Sequence, residues 1–352
     1  MFKREIGSEF HIDNKFHDDR IVLHNVFTYL QEFNTAFFDS GRSALRALLE
    51  EITSGIILLP DYICESVRDC FPESRVIYYH VDHNFCIDWE DVLEKCTGDI
   101  DILYLHYFNG YIGDAYDFGK LLELKKENNF IIVEDTTHSF LSASQTVGDY
   151  CICSLRKWFP VPDGGVLYSK KKIPLKSYIK SIWADKKVNA MLHKGLYLEG
   201  HNIEKSAFLK IFTETEQLLD EQKQSFGISE QSYDILKCMD INKIAEVRRN
   251  NYLFLSEKLS DKRYKQVACN GKNQVPLFFM VSVEKRDTLR KYLIDSHIYC
   301  PVHWPLYDEL KEFEGAVFNN GRELSIPIDQ RYGIEDMLYI ADRMSAFSKE
   351  YV

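Results

Sequence analysis

The chain has 352 residues, of which 45% are hydrophobic and 28% charged, and its formal net charge is -11. This is enough apolar material for a large domain with a smaller one, and it excludes a generally disordered chain. The acidic balance argues against non-specific binding to nucleic acid or to anionic membranes.

Helices and strands alternate in the first part of the chain, from residue 41 onward. Helical spacing of apolar residues predicts helices at 41–52, 62–71, 88–96 and 114–129. Short apolar runs predict strands at 55–60, 75–82, 101–108, 130–135, 149–155 and 165–170. Apolar strands separated by helices are typical of an α/β fold with a mostly parallel central sheet that helices cover on both faces.

The later part of the chain has a different pattern. Residues 171–245 are predicted to be mostly helical and polar, and a further helix is predicted at 248–259. Strands within 275–283 and helices at 285–296 and 334–347 predict a smaller α+β domain. We therefore expect a large domain at 1–245, with a leading segment at 1–30, and a small C-terminal domain at 246–352.

The cysteine pattern and the hydropathy suggest a location. The nine cysteines are scattered without CxxC pairs, as is typical of reduced thiols in a cytoplasm. Cys151 and Cys153 share one face of a strand but lack further ligands at a plausible spacing, so no metal is expected. No apolar run could span a bilayer and no signal peptide is recognised, so we expect a cytoplasmic protein with no membrane contact.

Ligands of parallel sheets bind at the carboxyl ends of the strands, where several polar residues of this chain fall. Asp135 ends one predicted strand, Asn109 and Gly110 follow another, and Tyr62 follows a third. A buried carboxylate needs a cationic or hydrogen-bonded partner, and a protonated pyridine nitrogen is one such partner. The alternative for Asp135 is a helix-capping or turn residue. His138 could contact a bound ring or simply pack.

Two further stretches suggest a phosphate and a reactive amine. In DSGRSALRALL, Ser40, Gly41 and Ser43 stand at a helix start, which favours either a phosphate or an ordinary cap. In SLRKWFPVPDGG, Lys157 lies between apolar flanks in a predicted fixed turn. A lysine that forms a Schiff base needs a desolvated amine on rigid backbone. A phosphate cup, a pyridinium partner and such a lysine are the elements of a pyridoxal-phosphate site.

The chain resembles the DegT/DnrJ/EryC1/StrS group of sugar aminotransferases, which are fold-type-I pyridoxal-phosphate enzymes. The resemblance rests on FFDSGRSALRALL, LLPDYICESV, ILYLHYFNGYIGD, IIVEDTTHSF, SLRKWFPVPDGGVL, VRRNNY and ELSIPIDQRY, spread over about residues 33–335. It implies that Lys157 forms the Schiff base and moves the proton, and that Asp135 binds the pyridine nitrogen. It places His138 near the ring hydroxyl. It also assigns the phosphate to the segment around Gly41, Arg42 and Ser43 and to Ser154.

The resemblance also implies a set of substrate contacts and a partner. Arg156 is expected to contact the substrate or the phosphate, and His303 and Trp304 are expected near the substrate. The sequence PDYICESV departs from the family pattern, so either Tyr62 or Cys64 would stack on the cofactor ring, and Tyr62 is the favoured residue. Members are usually homodimers, and the stretch 229–232 is a candidate for contacting the partner subunit's phosphate.

The implied activity is the transfer of an amino group from an amino acid, with glutamate expected, to a keto sugar carried on a nucleotide. Such a reaction would serve surface polysaccharide or glycan synthesis. Lys157 favours transamination over the dehydratases of the family, which have histidine there. The alternatives are another pyridoxal-phosphate reaction on a small amino-acid-like substrate, or a non-catalytic member. A Rossmann dehydrogenase is disfavoured because no GxGxxG follows the first strand.

Overall fold

The computed structural model describes residues 5–12, 21–52, 55–110, 118–142, 146–173, 177–260, 264–267 and 274–351, with side chains described up to residue 347. These residues form two compact units. Unit 1 comprises residues 1–51 and 152–244, and unit 2 comprises residues 52–151 and 245–352. The chain passes between the units three times, and the last passage falls beside residue 245. The division into domains 1–245 and 246–352 stays a prediction.

The secondary structure follows the alternation expected from the sequence. In chain order the strands are β1 (Ile6–Gly7), β2 (Asn34–Phe38), β3 (Ile57–Pro60), β4 (Val76–Tyr79), β5 (Ile102–His106), β6 (Ile131–Asp135), β7 (Tyr150–Ser154), β8 (Gly165–Ser169), β9 (Lys265–Gln266), β10 (Phe279–Ser282), β11 (Ile298–Tyr299) and β12 (Glu323–Ile326). The helices are α1 (Val26–Tyr29), α2 (Gly41–Leu49), α3 (Glu65–Arg68), α4 (Trp89–Lys95), α5 (Gly119–Asn128), α6 (Ala184–Leu198), α7 (Lys205–Glu221), α8 (Glu230–Lys237), α9 (Ile241–Lys258), α10 (Arg286–Asp295), α11 (Glu314–Arg322) and α12 (Ile334–Tyr351).

Unit 2 contains a run of parallel strands in the order β6-β5-β3-β4. Strands β3, β5 and β6 are apolar almost throughout because helices cover such a sheet on both faces. Their side chains share a core with residues from several helices, including Leu58, Leu103, Leu121 and Ile132. In the same unit, β10 pairs antiparallel with β12 and with β9. The predicted α/β fold with a mostly parallel sheet is therefore confirmed.

Unit 1 contains the antiparallel pair β2 and β8, in which Phe38 lies opposite Gly165. Helices α6 and α7 share a second apolar core, which includes Ala190, Met191, Phe208 and Phe212. The sequence pattern did not predict β2, because only its last residue is buried and its apolar alternation is short.

Two predicted helices differ from those observed. The helix predicted at 62–71 is limited to the single turn α3, since Tyr62 and Ile63 are buried in the core and Cys64 is extended at the helix start. Of the helix predicted at 114–129, residues 114–117 lie outside the described residues, and α5 begins at Gly119. This helix ends at Asn129, which adopts the left-handed conformation that stops helices.

The described residues contain neither a membrane-spanning helix nor a candidate metal cluster. No described helix is long and apolar enough to cross a membrane. In the same part of the chain, no group of three or more His, Cys, Asp or Glu side chains could hold a metal ion. The described cysteines are free thiols.

Gly165 is required where β8 meets the start of α2. A Cβ at this position would lie 2.1 Å from the carbonyl oxygen of Ser40 and 2.5 Å from the nitrogen of Gly41. We expect Gly165→Ala to lower the free energy of unfolding by about 3 kcal/mol, because backbone has to move to relieve the overlap. Gly321→Ala is the control, since a Cβ there meets nothing within 4 Å. Urea unfolding measures both, and equal midpoints for the two variants would contradict the prediction.

Candidate active site

Asp135 is the last residue of β6, and three groups of unit 2 hold its buried carboxylate. The Tyr104 hydroxyl donates a hydrogen bond to Oδ2 at 2.8 Å. Nδ1 of His106 lies 3.3 Å from the same oxygen. The backbone N–H of Thr137 donates to Oδ1 at 2.9 Å. The carboxylate is thus held through both of its oxygens.

These contacts decide the charge of Asp135. Burial by itself would raise the pKa of this carboxyl, but the neighbouring His106 and the hydrogen bonds from Thr137 outweigh burial and lower the pKa below its ordinary value. Asp135 is therefore a carboxylate anion in an apolar setting. An anion so placed suits a cationic partner that can also donate a hydrogen bond.

His138 lies in a cluster of rings beside this carboxylate. Its Nδ1 accepts a hydrogen bond from the backbone N–H of Asn109 at 3.2 Å, so the proton of the neutral ring is on Nε2. The ring is stacked on Trp304, with centroids 5.6 Å apart and planes at 26°. It meets His106 edge-on at 4.7 Å and His303 at 5.4 Å. The structure therefore brings together His138, His303 and Trp304, which were predicted from separate motifs.

His303 is held from within unit 2. Its backbone N–H donates to Oε2 of Glu323 at 2.8 Å, and its Nδ1 lies 3.3 Å from Oε1 of the same residue. Glu323 is fully buried, and Trp304 is half-buried. The His303 ring is accordingly fixed against His138.

Tyr62 and Cys64, the two alternatives for ring stacking, lie in different settings. Tyr62 is only 1% exposed; its hydroxyl donates to the carbonyl oxygen of His303, and its ring is tilted against Phe108 and Trp304. Cys64 is half-buried and lies 3.2 Å from the hydroxyl of Ser66. Tyr62 is thus part of the core beneath Trp304. Which of the two stacks on a cofactor stays a prediction.

The start of α2 in unit 1 has the close approach that a phosphate site needs. Ser40 caps the helix by accepting the N–H of Ser43 at 3.1 Å. A Cβ on Gly41 would lie 3.3 Å from the Cβ and from the backbone nitrogen of Ser154, tighter than ordinary contact. Glycine therefore lets Ser154 approach the positive end of the helix dipole.

The side chains of Arg42 and Ser43 contact α7 in the single chain, and their role as phosphate ligands stays a prediction. The Arg42 guanidinium donates to Oδ1 of Asp220 at 2.8 Å and to the carbonyl of Leu219 at 3.1 Å. The Ser43 hydroxyl is fully buried and accepts from Gln222 at 3.1 Å. Their side chains are therefore engaged in packing α2 against α7. The backbone N–H groups of Gly41 and Arg42 are the remaining candidates for contacting a phosphate at this helix start.

Lys157 is the last residue of a single 3₁₀ turn, Leu155–Lys157, and its side chain is exposed. The predicted turn is present. The apolar residues that follow it, Trp158 and Phe159, are fully buried. The backbone at Arg156 and Lys157 is helical rather than extended. The expected desolvation of the amine is absent in the single chain.

Arg156 is engaged inside unit 1, and its role as a ligand contact stays a prediction. Its guanidinium pairs with Glu216, and it lies 5.8 Å from the centroid of the Trp183 ring. Lys187 also contacts Glu216, with Nζ 2.5 Å from Oε1. Burial opposes the charge of Glu216, but Arg156 and Lys187 outweigh it and hold its pKa well below the ordinary range.

The stretch 229–232 is likewise engaged within one chain. Ser229 caps α8, and its hydroxyl donates to Oδ1 of Asp163 at 2.6 Å. The hydroxyl of Ser232 donates to the same carboxyl group. These serines therefore tie α8 to the segment after Lys157, and a contact of 229–232 with a partner subunit's phosphate stays a prediction.

Tyr104 and His106 are functional candidates that the sequence analysis missed. Both lie on β5, whereas the predicted site included only Asn109 and Gly110, which follow this strand. The signal was present, because a histidine at the carboxyl end of an apolar strand stands beside the end of the next parallel strand.

Glu134 precedes Asp135 and points to the other face of β6. Burial raises its pKa to about 7, although hydrogen bonds from the backbone N–H groups of Gly148 and Val147 act in the opposite direction. The folded protein thus holds this proton more tightly than the unfolded chain does. The contribution to stability is complete below about pH 4.5 and is lost as pH rises through about 7.

We therefore expect Glu134→Gln to reduce the pH dependence of stability. Between about pH 5 and pH 8 the free energy of unfolding should fall less in the variant than in the wild-type chain, by up to about 3 kcal/mol. Urea unfolding over this pH range measures the difference. Parallel curves for the two proteins would contradict the prediction.

The fold defined by these elements is that of the sugar aminotransferases. Spr1654 from Streptococcus pneumoniae, described as a sugar aminotransferase and solved in its PMP form, matches with a TM-score of 0.66 at 13% identity, over 98% of this chain and 94% of that chain. The sugar aminotransferase CalS13 from Micromonospora echinospora matches with a TM-score of 0.62 at 13% identity, over 91% and 89%.

A DegT DnrJ EryC1 StrS aminotransferase from Brucella abortus matches with a TM-score of 0.62 at 15% identity, over 96% of this chain and 91% of that chain. The sequence itself matches no protein-family model and no curated protein. At these identities the likeness establishes the fold.

Proposed function

We propose that this chain is a pyridoxal-phosphate-dependent aminotransferase that transfers an amino group from an amino acid to a keto sugar. The observation that carries the proposal is the buried, ionised carboxylate of Asp135 at the end of β6. A protonated pyridine nitrogen is a cation that donates one hydrogen bond, and a buried carboxylate stabilises such a group. Solved structures with the same fold support the proposal by being described as sugar aminotransferases.

The residues present fit the cofactor on two counts. Asp135 supplies the anion for the pyridine nitrogen, and both ring nitrogens of its neighbour His106 lack a well-aligned partner among the described residues. The start of α2 supplies backbone N–H groups and a glycine beside Ser154, which suits a phosphate. Each place has the donor or acceptor that its part of the cofactor requires.

When bound, pyridoxal phosphate supplies an aldehyde and an electron-withdrawing ring. The amine of Lys157 would hold the cofactor through that aldehyde. Once released, the same amine would hold and move the proton at the substrate carbon. Asp135 would keep the pyridine nitrogen protonated. Overall, the amino acid becomes a 2-oxo acid, and the carbonyl of the acceptor becomes an amine.

The finer parts of the proposal concern substrates and assembly. We take the amino donor to be glutamate and the acceptor to be a keto sugar carried on a nucleotide, in surface polysaccharide or glycan synthesis in the cytoplasm. We take the active form to be a homodimer. The exposure of Lys157 supports the dimer, because an amine that forms a Schiff base has to be shielded from water and the single chain leaves it open.

The test begins with the visible absorption spectrum of the purified chain after pyridoxal phosphate is added. Borohydride reduction and peptide mapping then identify the labelled lysine. We expect a yellow species whose label lies on Lys157. Absence of the band, or a label on another lysine, would overturn the proposed site.

A substrate panel tests the acceptor. With glutamate as donor, formation of 2-oxoglutarate is measured with keto sugars on nucleotides and with small 2-oxo acids. We expect turnover with the keto sugars. Turnover with the small 2-oxo acids alone would support a different pyridoxal-phosphate reaction, and labelling of Lys157 without any turnover would favour a non-catalytic protein.

A further inference from the structure

Two side chains of β5 converge on one oxygen of Asp135. Strands β5 and β6 are parallel neighbours, and His106 stands in register with Asp135. Tyr104 is two residues earlier, so its side chain leaves the same face of the sheet. Both reach Oδ2, the Tyr104 hydroxyl at 2.8 Å and Nδ1 of His106 at 3.3 Å. The other oxygen is held by the backbone of Thr137.

Tyr104 has the chemistry of a permanent hydrogen-bond donor. Its side chain is fully buried, and burial together with the charge of Asp135 raises its pKa well above the ordinary value. The phenol therefore keeps its proton at neutral pH. A neutral donor to a carboxylate favours the charged form of that carboxylate.

His106 has few partners other than this carboxylate. It is 5% exposed, and neither ring nitrogen has a well-aligned hydrogen bond with a described residue. A buried polar ring without such bonds is destabilising, so electrostatic attraction to Asp135 is the compensation that the geometry provides. The ring is kept in place by His138 at 4.7 Å and by Trp304 at 5.6 Å between centroids.

We propose that Tyr104 and His106 are positioning residues that fix Oδ2 of Asp135 and keep this carboxylate charged toward the pyridine nitrogen of the cofactor. The inference rests on the proposed function, because it assigns these residues to the partner of that nitrogen. They act through Asp135 and do not themselves take part in the reaction. The direct effect of removing either side chain is therefore a change in the protonation of the pyridine nitrogen of the bound cofactor.

The test uses Tyr104→Phe and His106→Leu in the full-length chain. The fraction of protonated pyridine nitrogen is read by ¹⁵N NMR of bound ¹⁵N-labelled pyridoxal phosphate, and affinity is measured by titration. We expect each variant to lower the protonated fraction and to weaken affinity about tenfold, the scale of one lost polar contact with a charged group. The label should remain on Lys157 after borohydride reduction.

Two further variants separate positioning from packing. Tyr79→Phe removes an equally buried hydroxyl, which donates to the neutral carbonyl of Tyr104 at 3.1 Å. It should leave the nitrogen protonated. His106→Asn replaces Nδ1 with an amide donor and should restore most of the protonated fraction that His106→Leu loses. If His106→Leu does not fold, Tyr104→Phe carries the test, with Tyr79→Phe as its control, and full protonation in Tyr104→Phe would then overturn the inference.

The possible failures are distinguishable. A wild-type chain that takes up no cofactor on Lys157 would overturn the proposed function and this inference with it. A wild-type chain that binds the cofactor, with the nitrogen fully protonated in both Tyr104→Phe and His106→Leu, would overturn the inference alone. An equal loss of protonation in Tyr79→Phe would also overturn it, because the effect would then belong to packing of the sheet.

Discussion

Lys157→Ala should abolish covalent uptake of pyridoxal phosphate and lower the rate of amino transfer by at least about 10³-fold. The reason is that one amine serves both as the attachment point and as the group that moves the proton, and a positioned acid–base group alone contributes about 10²–10⁴-fold. Absorption after borohydride treatment measures the first effect. Release of 2-oxo acid from the amino donor measures the second.

Lys180→Ala is the matched control for this prediction. Lys180 is an exposed lysine of unit 1 whose Nζ lies 2.5 Å from Oε1 of the exposed Glu230. Exposed pairs of this kind contribute little to stability, so both the label and the rate should be unchanged. If Lys157→Ala kept its label or its turnover, the assignment of the reactive amine would be wrong.

Because Lys157 is exposed, the variant can separate a chemical role of this lysine from a structural one. The Lys157 side chain is exposed, so its removal takes little away from the packing, whereas Trp158 and Phe159 beside it are fully buried. Lys157→Ala should therefore unfold at the same urea concentration as the wild-type chain without cofactor. A loss of function at constant stability is the signature of a chemical role.

The sequence predicted those features of the site that depend on local order along the chain. A run of apolar residues ending in Asp135 is sufficient to place a carboxylate at the end of a parallel strand. A serine before Gly41 is sufficient to begin α2. The turn at Lys157 follows from the Pro and Gly residues after it. In each case the decisive neighbours are fewer than ten residues away.

Features that depend on pairing between distant segments could not be predicted. Tyr104 and His106 reach Asp135 only because β5 and β6 pair in one particular register. Arg156 looked free for a ligand, but its partner is Glu216, sixty residues later. A strand register and an ion pair of that kind are set by the tertiary structure, and no local pattern records them.

The side-chain directions at the start of α2 also depend on distant segments, so the local sequence could not predict them. A helix start with Arg42 and Ser43 predicts an anion site from local chemistry alone. Asp220 and Gln222 are almost 180 residues away and turn these two side chains toward α7. The backbone N–H groups are the part of the motif that tertiary contacts leave unchanged, because the helix itself orients them.

Asp135→Asn should lower the rate of amino transfer by about 10²–10³-fold while leaving Lys157 able to bind the cofactor. The amide has the shape of the carboxylate but no charge, so the pyridine nitrogen loses its anionic partner; removing one preorganised electrostatic contact in an enzyme costs about this much. Borohydride labelling should therefore succeed while turnover fails. ¹⁵N NMR of the labelled cofactor should show a deprotonated nitrogen.

Glu134→Gln is the control that makes this result specific. The two acidic residues are adjacent and both are buried, but Glu134 points to the opposite face of β6, where its Oε2 accepts the backbone N–H groups of Val147 and Gly148. The same change from carboxyl to amide should leave turnover at its wild-type rate. Equal losses in the two variants would mean that charge anywhere on this strand supports the fold, and Asp135 would then lose its assignment as the partner of the pyridine nitrogen.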